Sequence, residues 1–245
     1  MGMIILSVGM PRAGSGWCYN LTNDLMLANG AADAHQIRSQ FHLQRILTEV
    51  NCNIGALTPR RLSAVLLPSL LGNTFVIKAH SSPTSFASWI IRRGQIRPSY
   101  IFRDPRDALI SAMENGQRAI ERGRPNAFSP FAEFEAALLF MEKYLKTWEQ
   151  WTHVAQALLI RYENLLLEYD IEAERLAQFL GLEVSLPRNR EIIEHYRPEN
   201  SQTDQKGLHF RHGRIGRFRH KLSVEQQELM ADRLGGFIER MGYAL

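Results

Sequence analysis

The sequence predicts an α/β fold of three layers, in which helices cover both faces of a central parallel sheet. The prediction depends on short apolar runs of strand-like composition and on the helical stretches that separate them. The four predicted strands span residues 4–8, 74–77, 100–102 and 157–160. Such alternation is typical of a parallel sheet buried on both faces, whose ligands bind beyond the carboxyl ends of the strands.

Helical patterns fill the intervals between these strands. Pro105 suits the first turn of a helix, Ser223 and Gln226 form a capping box, and Gly181 is a stop signal. Four predicted helices cover residues 15–27, 105–121, 131–155 and 171–180. Two or more further helices are predicted within residues 31–72, broken around Pro59, and another follows Pro83 and runs through residue 91. The last predicted helix begins at Ser223 and ends before Gly242.

Length and composition indicate one ordinary globular domain. The chain has 245 residues, of which 45% are hydrophobic and 22% charged. No internal repeat or low-complexity linker divides it, so we expect a single domain over residues 1–245. The net charge of +4 is modest, and the position of the cations is therefore more informative than their sum. Oligomeric state is not predictable from these features.

Cysteine usage and hydropathy suggest a protein of a reducing compartment. Cys18 and Cys52 cannot form a disulfide framework and have no zinc-ligand spacing, so we expect no metal site. The apolar stretch at residues 3–8 is too short for a signal peptide, and no run is long enough to span a membrane. We therefore expect a cytoplasmic protein.

A glycine-rich loop follows the first predicted strand. Residues 9–17 read G-M-P-R-A-G-S-G-W and open a predicted helix, a context in which backbone N–H groups can surround an anion. An ordinary strand–turn–helix loop would look similar. Gly9 and Gly14 have the spacing of the nucleotide-triphosphatase loop, but Ser15 stands where that motif requires lysine. The loop thus suits a phosphate without indicating ATP or GTP hydrolysis.

Two further strands end in residues that suit anion chemistry. Arg103 follows the third strand, where its guanidinium could form paired hydrogen bonds with a phosphate, although a salt-bridge cluster with nearby aspartates is the simpler alternative. Lys78 and His80 end the second strand with the same parity and project to one side. His80 could act as a general base at neutral pH, although a lone histidine is more often structural.

A basic block lies near the carboxyl end of the chain. Between residues 205 and 224 there are six Lys and Arg residues, three His residues and no acidic residue. Blocks of this kind are usually solvated arms or polyanion contacts. Gly213 and Gly216 interrupt the block, which favours a loop folded around a ligand over an extended tail.

Together these segments resemble the sulfotransferase family that uses 3′-phosphoadenosine 5′-phosphosulfate (PAPS) as donor. Residues 11–17, P-R-A-G-S-G-W, resemble the family's 5′-phosphosulfate loop, and residues 100–111, Y-I-F-R-D-P-R-D-A-L-I-S, resemble its 3′-phosphate motif. Residues 78–80 match K-x-H, residues 161–165 resemble R-Y-E-D-L, and residues 211–219 resemble R-K-G-x-x-G-x-W-K. The matches occur in the family's order from residue 4 to about residue 223.

The resemblance implies a P-loop-like fold and a set of donor contacts. The implied 5′-phosphosulfate contacts are Arg12, Ala13, Gly14, Ser15, Gly16 and Trp17, with Trp17 stacked near the adenine that Tyr162 also reaches. The implied 3′-phosphate contacts are Arg103, Ser111, Arg211, His212 and Gly213. The sequence departs from the family pattern at Arg12 and His212, where lysine is usual, at Gly16, where a hydroxyl residue is usual, and at Phe218, where tryptophan is usual.

The chemistry expected from this resemblance is sulfuryl transfer by in-line displacement. His80 would remove the acceptor proton, while Lys78 and Arg12 would stabilise negative charge, with no metal required and PAP (3′-phosphoadenosine 5′-phosphate) as product. The acceptor bears a hydroxyl or amine but is not identified. We expect its pocket within residues 31–72 and 114–130, with possible contacts at Phe41, His42, Phe86, Trp89 and Phe128.

Two other functions are compatible with parts of the sequence. A small-molecule kinase of P-loop fold is disfavoured by the missing lysine at position 15. A non-catalytic nucleic-acid-binding protein would use the block at residues 206–221, but it leaves Arg12, His80 and Arg103 without a role. We therefore expect no nucleic-acid partner.

Overall fold

Four parallel strands form the central sheet, in the order β2-β1-β3-β4. The structure, a computed structural model, describes residues 2–200 and 214–245. In the sheet, Ile4 lies opposite Phe75 on one side and opposite Ile96 on the other. The strands are β1 (Ile4–Gly9), β2 (Phe75–Ala79), β3 (Ile96–Phe102) and β4 (Leu158–Arg161). The expected parallel sheet is confirmed.

Helices connect successive strands and follow the last one. The helices of the described residues are α1 (Ser15–Ala28), α2 (Ala34–Gln40), α3 (Pro59–Leu70), α4 (Ser85–Arg92), α5 (Pro105–Glu121), α6 (Phe134–Thr152), α7 (Tyr162–Leu167), α8 (Tyr169–Leu180), α9 (Pro187–His195), α10 (Phe218–Lys221) and α11 (Val224–Arg240). A short 3₁₀ turn, Ser129–Phe131, lies between α5 and α6.

The two faces of the sheet belong to two separate apolar clusters. Ile4 and Leu6 of β1 point into a cluster that includes buried residues of α3, α4, α6 and α11. Ile5, between them, points into a second cluster with buried residues of α1, α8 and α9. Because alternate side chains of a strand face opposite sides, this division places helices on both faces. The three-layer arrangement is therefore confirmed.

Helix boundaries follow the local signals in the sequence. Pro105 is the first residue of α5, and the Asp104 carboxylate caps that helix by accepting the Arg106 N–H at 2.9 Å. Ser223 and Gln226 make the expected capping box of α11. Gly181 ends α8 in the left-handed conformation, with φ of 76°.

The third strand begins four residues earlier than the sequence predicts. Pro98 lies inside β3, where proline removes a backbone donor and argues against a central strand. The neighbouring strand β4 pairs only from Ser99 onward, so at Pro98 the sheet has a partner on one side alone. Proline is tolerated there because no hydrogen bond to β4 is lost. The sequence also gave no signal for α9.

Candidate functional site

A cavity of about 720 Å³ lies at the carboxyl ends of β1, β2 and β3. Its walls come from the loop before α1, from the residues that end β2, from α5 and from the segment that follows α5. The predicted site residues that line the cavity are Arg12, Gly14, Ser15, Gly16, Trp17, Lys78, His80, Arg103, Ser111 and Tyr162. Residues from four distant parts of the sequence therefore meet in one place.

The loop between β1 and α1 turns tightly under the cavity. Gly14 has a φ of 77°, and a Cβ at this position would lie 2.7 Å from a ring carbon of Tyr162. Glycine is thus required both for the backbone conformation and for the close approach of the tyrosine. Gly14 is also the N-cap of α1 and offers no side-chain cap, so the first N–H groups of α1 have no capping side chain.

Ala13 takes a different position from its neighbours in this loop. Its side chain is fully buried in the apolar cluster that contains Ile4, and its backbone N–H donates to the Met10 carbonyl at 3.2 Å. It does not line the cavity. Ala13 therefore supports the turn, while Gly14, Ser15 and Gly16 present the loop to the cavity.

Arg12 connects this loop to α5. Its Nε donates to the Ser111 hydroxyl at 3.1 Å, and its guanidinium lies 5.3 Å from the ring centre of Phe128. Burial lowers the pKa of Arg12 to about 10, with further contributions from the positive charges of Arg118 and Arg103. Arg12 remains charged at neutral pH, in a region where positive charges repel one another.

Lys78 and His80 are positioned by the end of β2. Two hydrogen bonds fix the backbone of Lys78 to the segment around Asn53: its N–H donates to the Cys52 carbonyl at 3.3 Å and its carbonyl accepts the Ile54 N–H at 2.9 Å. The Lys78 side chain is 5% exposed and lines the cavity. Burial, together with the charge of Arg12, lowers its pKa to about 8.

His80 is held in one tautomer by the backbone at the end of β1. Its Nδ1 lies 2.6 Å from the Gly9 carbonyl, which can only accept, so Nδ1 carries the proton. Burial, with a smaller contribution from Lys78, lowers the pKa of His80 to about 4. The imidazole is therefore neutral at physiological pH, with its lone pair on Nε2.

Arg103 lies where β3 meets α5 and is almost fully buried. It forms an ion pair with Asp107 at 3.3 Å, donates to the Arg214 carbonyl at 2.9 Å, and stacks over the ring of Tyr162 at 4.5 Å. Its Nε is buried without a hydrogen-bond partner in the described part of the chain. A buried donor of this kind is the sort of group that an anion would satisfy.

Two aromatic residues form the wall beside Gly14. The Trp17 indole stacks on Tyr169 with ring centres 5.9 Å apart and meets Tyr162 edge-on at 6.3 Å. Its Nε1 donates to the Tyr196 carbonyl at 2.9 Å. Trp17 is thus a buried, fixed ring at the edge of the cavity.

Three of the predicted site residues, Arg211, His212 and Gly213, lie outside the described residues. The chain that follows them does reach the cavity, because Arg214 and Arg217 line it. Arg217 forms an ion pair with Glu114 of α5, and Arg118 lies 3.8 Å from the same carboxylate. Among the charged residues lining this cavity in residues 2–200 and 214–245, Glu114 is the single carboxylate.

The sequence did not single out the residues that form the far wall of the cavity. Their common feature is position on the second half of α5, in the loop after it, or on α6; they are Arg118, Arg122, Arg124, Phe140 and Tyr144. Ser111, Arg118 and Arg122 are separated by seven and four residues, which places them on one face of a helix. Helical spacing from Ser111 could therefore have found two of them.

The expected acceptor contacts divide between the cavity and the rest of the molecule. Phe128 lines the cavity, whereas Phe41, His42, Phe86 and Trp89 do not. Phe86 and Trp89 instead stack on each other at 5.9 Å along α4, and Phe41 packs against the apolar core. The packing alternative therefore fits Phe41, Phe86 and Trp89, because aromatic residues between motifs serve packing as readily as binding, and the acceptor contacts stay a prediction.

Two general features of the described residues bear on the site. No helix among them has the length and hydropathy needed to cross a membrane. In the same part of the chain, no three His, Cys, Asp or Glu side chains are grouped so as to hold a metal ion.

Solved structures resemble the fold. Mouse sulfotransferase SULT7A1, solved with PAP, superposes with a TM-score of 0.62 at 15% identity, covering 97% of this chain and 85% of that one. Retinol dehydratase, solved with androsterone and the inactive cofactor PAP, has a TM-score of 0.61 at 17% identity, covering 96% of this chain and 80% of that one. Sulfotransferase STF9 from Mycobacterium avium has a TM-score of 0.54 at 13% identity, covering 100% of this chain and 77% of that one. At these identities the likeness shows the fold.

Sequence comparison identifies the family. No curated protein matches the chain in sequence. The model of the sulfotransferase domain family, by contrast, matches residues 4–242, which is nearly the whole chain. The chain therefore belongs to the sulfotransferase domain family.

Proposed function

We propose that the protein transfers the sulfuryl group of PAPS to a hydroxyl group of a second substrate, with His80 as general base. The observation that carries the proposal is the convergence of Arg12, Lys78, His80 and Arg103 on one cavity at the carboxyl edge of the sheet. A kinase or a nucleic-acid-binding protein would not need a partly buried, neutral histidine beside a buried lysine at that edge.

The 3′-phosphate of the donor is assigned to Arg103 and Ser111. The buried Nε of Arg103 has no hydrogen-bond partner among the described residues, and the Ser111 hydroxyl accepts a hydrogen bond from Arg12 Nε. An anion bound here would satisfy the orphaned donor and offset the charge that lowers the pKa of Arg12. Arg211, His212 and Gly213 belong to this proposal through the sequence motif alone.

The 5′-phosphosulfate is assigned to the loop before α1. Ser15 and Gly16 open α1, where N–H groups without capping side chains and the positive end of the helix favour an anion. Lys78 and Arg12 add positive charge to the same cavity. Trp17 and Tyr162 provide the aromatic surface for the adenine, and the Tyr162 ring packs directly against Gly14 of the loop.

The proton is assigned to Nε2 of His80. In the proposed step the acceptor oxygen bonds to sulfur, the bond from sulfur to the bridging phosphate oxygen breaks, and the hydroxyl proton passes to Nε2. The hydrogen bond from Nδ1 to Gly9 fixes the ring for this task. Burial lowers the basicity of the ring, and negative charge in the cavity would restore part of it by opposing that effect.

The negative charge that develops on the departing phosphate is stabilised, in this proposal, by Lys78 and Arg12. Lys78 is buried and its backbone is held by two hydrogen bonds to residues 52–54, so its charge is preorganised rather than assembled during the reaction. Arg12 does not act as a proton donor, because its guanidinium keeps its proton even with a lowered pKa. With these fixed cations in place, the proposed reaction needs no metal ion to neutralise the phosphates. We also propose a cytoplasmic location, which two free, buried cysteines fit.

The experiment is a transfer assay with radiolabelled PAPS and a panel of alcohols, phenols and sugars. We expect label to appear on at least one acceptor and PAP to appear in equal amount. The same assay with γ-labelled ATP serves as the control for the kinase alternative. Transfer from ATP, or failure to bind PAP, would contradict the proposal.

A further inference from the structure

The cavity has a second, positively charged end that lies away from the residues assigned to the donor. Ser111 is in the middle of α5 and Arg122 caps its carboxyl end. At a rise of about 1.5 Å per residue, the two positions are about 16 Å apart along the helix axis. Both residues line the same cavity. A phosphate held at Ser111 therefore does not also contact Arg122.

The cations at this end have no ion-pair partner among residues 2–200 and 214–245. Arg122 and Arg124 are exposed at the cavity rim and form no ion pair with any carboxylate of the described residues. The nearest acidic lining residue, Glu114, is already paired with Arg217. The local charge of this rim is thus left for a ligand to neutralise.

The loop that carries Arg124 is held against α5. The Arg124 N–H donates to the Ala119 carbonyl at 2.9 Å, and the Asn126 side-chain amide donates to the Asn115 side-chain oxygen at 2.9 Å. Gly116 allows this packing, because a Cβ there would overlap the Phe128 carbonyl oxygen. The rim cations are therefore presented by a positioned loop.

An apolar wall connects the rim with the proposed reaction centre. Phe140 packs on Phe131 with ring centres 4.1 Å apart and on Tyr144 at 4.8 Å. Phe128 contacts Phe140 edge-on at 6.1 Å and lies under the guanidinium of Arg12. A molecule that extends from His80 to the rim would pass along this aromatic surface before it reaches Arg122 and Arg124.

We infer that the acceptor is an anionic amphiphile, with a hydroxyl at one end, an apolar body, and a carboxylate or phosphate that binds Arg122 and Arg124. This inference rests on the proposed function, since it names the acceptor class of the same site. Guanidinium groups form paired, charge-assisted hydrogen bonds with both of these anions, and aromatic side chains suit the apolar body. Neutral acceptors of equal length would leave the rim charges unused.

The test compares ω-hydroxydodecanoate with its neutral amide, ω-hydroxydodecanamide, as acceptors from PAPS. We expect kcat/KM to be about tenfold or more higher for the carboxylate, and this advantage to disappear in the double variant Arg122→Gln/Arg124→Gln. The matched control is Arg60→Gln/Arg92→Gln, two exposed arginines outside the cavity, which keeps the preference. Because the carboxylate acts through charge, its KM also rises with salt.

A binding measurement keeps the inference testable without turnover. Calorimetric titration of dodecanoate and dodecanamide into the PAP-loaded protein should show tighter binding of the carboxylate, lost in the cavity variant and kept in the control. Equal affinity for both probes, or a preference that survives Arg122→Gln/Arg124→Gln, overturns the inference. Equal rates of sulfation for ω-hydroxydodecanoate and ω-hydroxydodecanamide would also overturn the inference, although the proposed sulfuryl transfer would stand. Failure to bind PAP would instead count against the proposed function.

Discussion

Asp107 binds Arg103 and the backbone of the carboxyl-terminal segment with the same carboxylate. Its Oδ2 lies 3.3 Å from the Arg103 guanidinium and accepts the Gly216 N–H at 2.8 Å. Its Oδ1 accepts the Phe218 N–H at 3.2 Å. Asp107 has no exposed surface, so one buried side chain joins the proposed 3′-phosphate site to the segment that carries Arg214 and Arg217.

Replacing this carboxylate should reduce both stability and donor affinity. In Asp107→Asn the buried Arg103 loses its counter-charge, and breaking such a pair typically costs about 3–5 kcal/mol. We expect a lower Tm and weaker PAP binding. Denaturation and calorimetry measure the two effects, with Asp170→Asn, which alters an exposed ion pair to Arg197, as the control. An unchanged Tm would show that Asp107 does not anchor the segment.

Arg103 should discriminate between nucleotides with and without a 3′-phosphate. In Arg103→Ala we expect PAP binding to weaken by about 1.5–3 kcal/mol, the usual contribution of a hydrogen bond to a charged group, with little change for adenosine 5′-phosphate. Calorimetric titration of both nucleotides gives the two values. Equal losses for PAP and adenosine 5′-phosphate would mean that Arg103 acts through the fold rather than through the phosphate.

The pH dependence of kcat/KM for PAPS, which reports the protein before the donor brings its negative charge, should be bounded by His80 and Lys78. The pKa of His80 is lowered to about 4, so the neutral base persists as the pH falls and activity declines only near that value. The pKa of Lys78 is lowered to about 8, so its charge is lost as the pH rises through that value. A profile from about pH 3 to about pH 10 tests both limbs.

The lysine limb has a direct control. Lys78→Arg should move the alkaline limb upward, because arginine keeps its proton at pH values where the lysine loses it. An acid limb near pH 6.5, the ordinary value for histidine, would contradict the lowered pKa of His80.

The lowered pKa of His80 also affects stability. Between about pH 6.5 and 4 the unfolded chain binds a proton at His80 that the folded chain does not. This histidine therefore lowers the free energy of unfolding as the pH falls through that window.

His80 itself should be needed for turnover and dispensable for nucleotide binding. In His80→Ala we expect kcat to fall by about 10²–10⁴-fold, the usual contribution of a positioned general base. PAP affinity should change little, because the phosphates are assigned to other residues. His153→Ala, an exposed histidine at the end of α6, is the control. Unchanged turnover in His80→Ala would remove this residue from the mechanism.

The donor side of the cavity could be predicted because parallel strands share one carboxyl edge. Arg12, His80 and Arg103 each follow a different strand, so the order of strands and helices alone brings them near one another. The glycines at residues 9–16 likewise indicate a tight turn, because the positive φ of Gly14 is a requirement of the loop itself. The roles of these residues remain predictions, and residues 211–213 lie outside the described part of the chain.

The rest of the site depends on packing that no local pattern reveals. The bond from Gly216 to Asp107 joins residues more than a hundred positions apart, and Phe86 was indistinguishable in sequence from Phe128, which lines the cavity. Arg122 and Arg124 fall within residues 114–130, where the sequence predicts the acceptor pocket, but no local pattern distinguishes them from the other charged residues of that range. Their proximity to the cavity follows from the direction of α5 and from the loop packed at Gly116.

The most direct measurement is a calorimetric comparison of PAP, adenosine 5′-phosphate and ATP as ligands of the unaltered protein. If Arg103 and the loop before α1 grip phosphates on both sides of one ribose, PAP should bind at least about tenfold more tightly than either of the others, a difference of about 1.4 kcal/mol. ATP binding as tight as PAP, or no effect of the 3′-phosphate, would contradict the account.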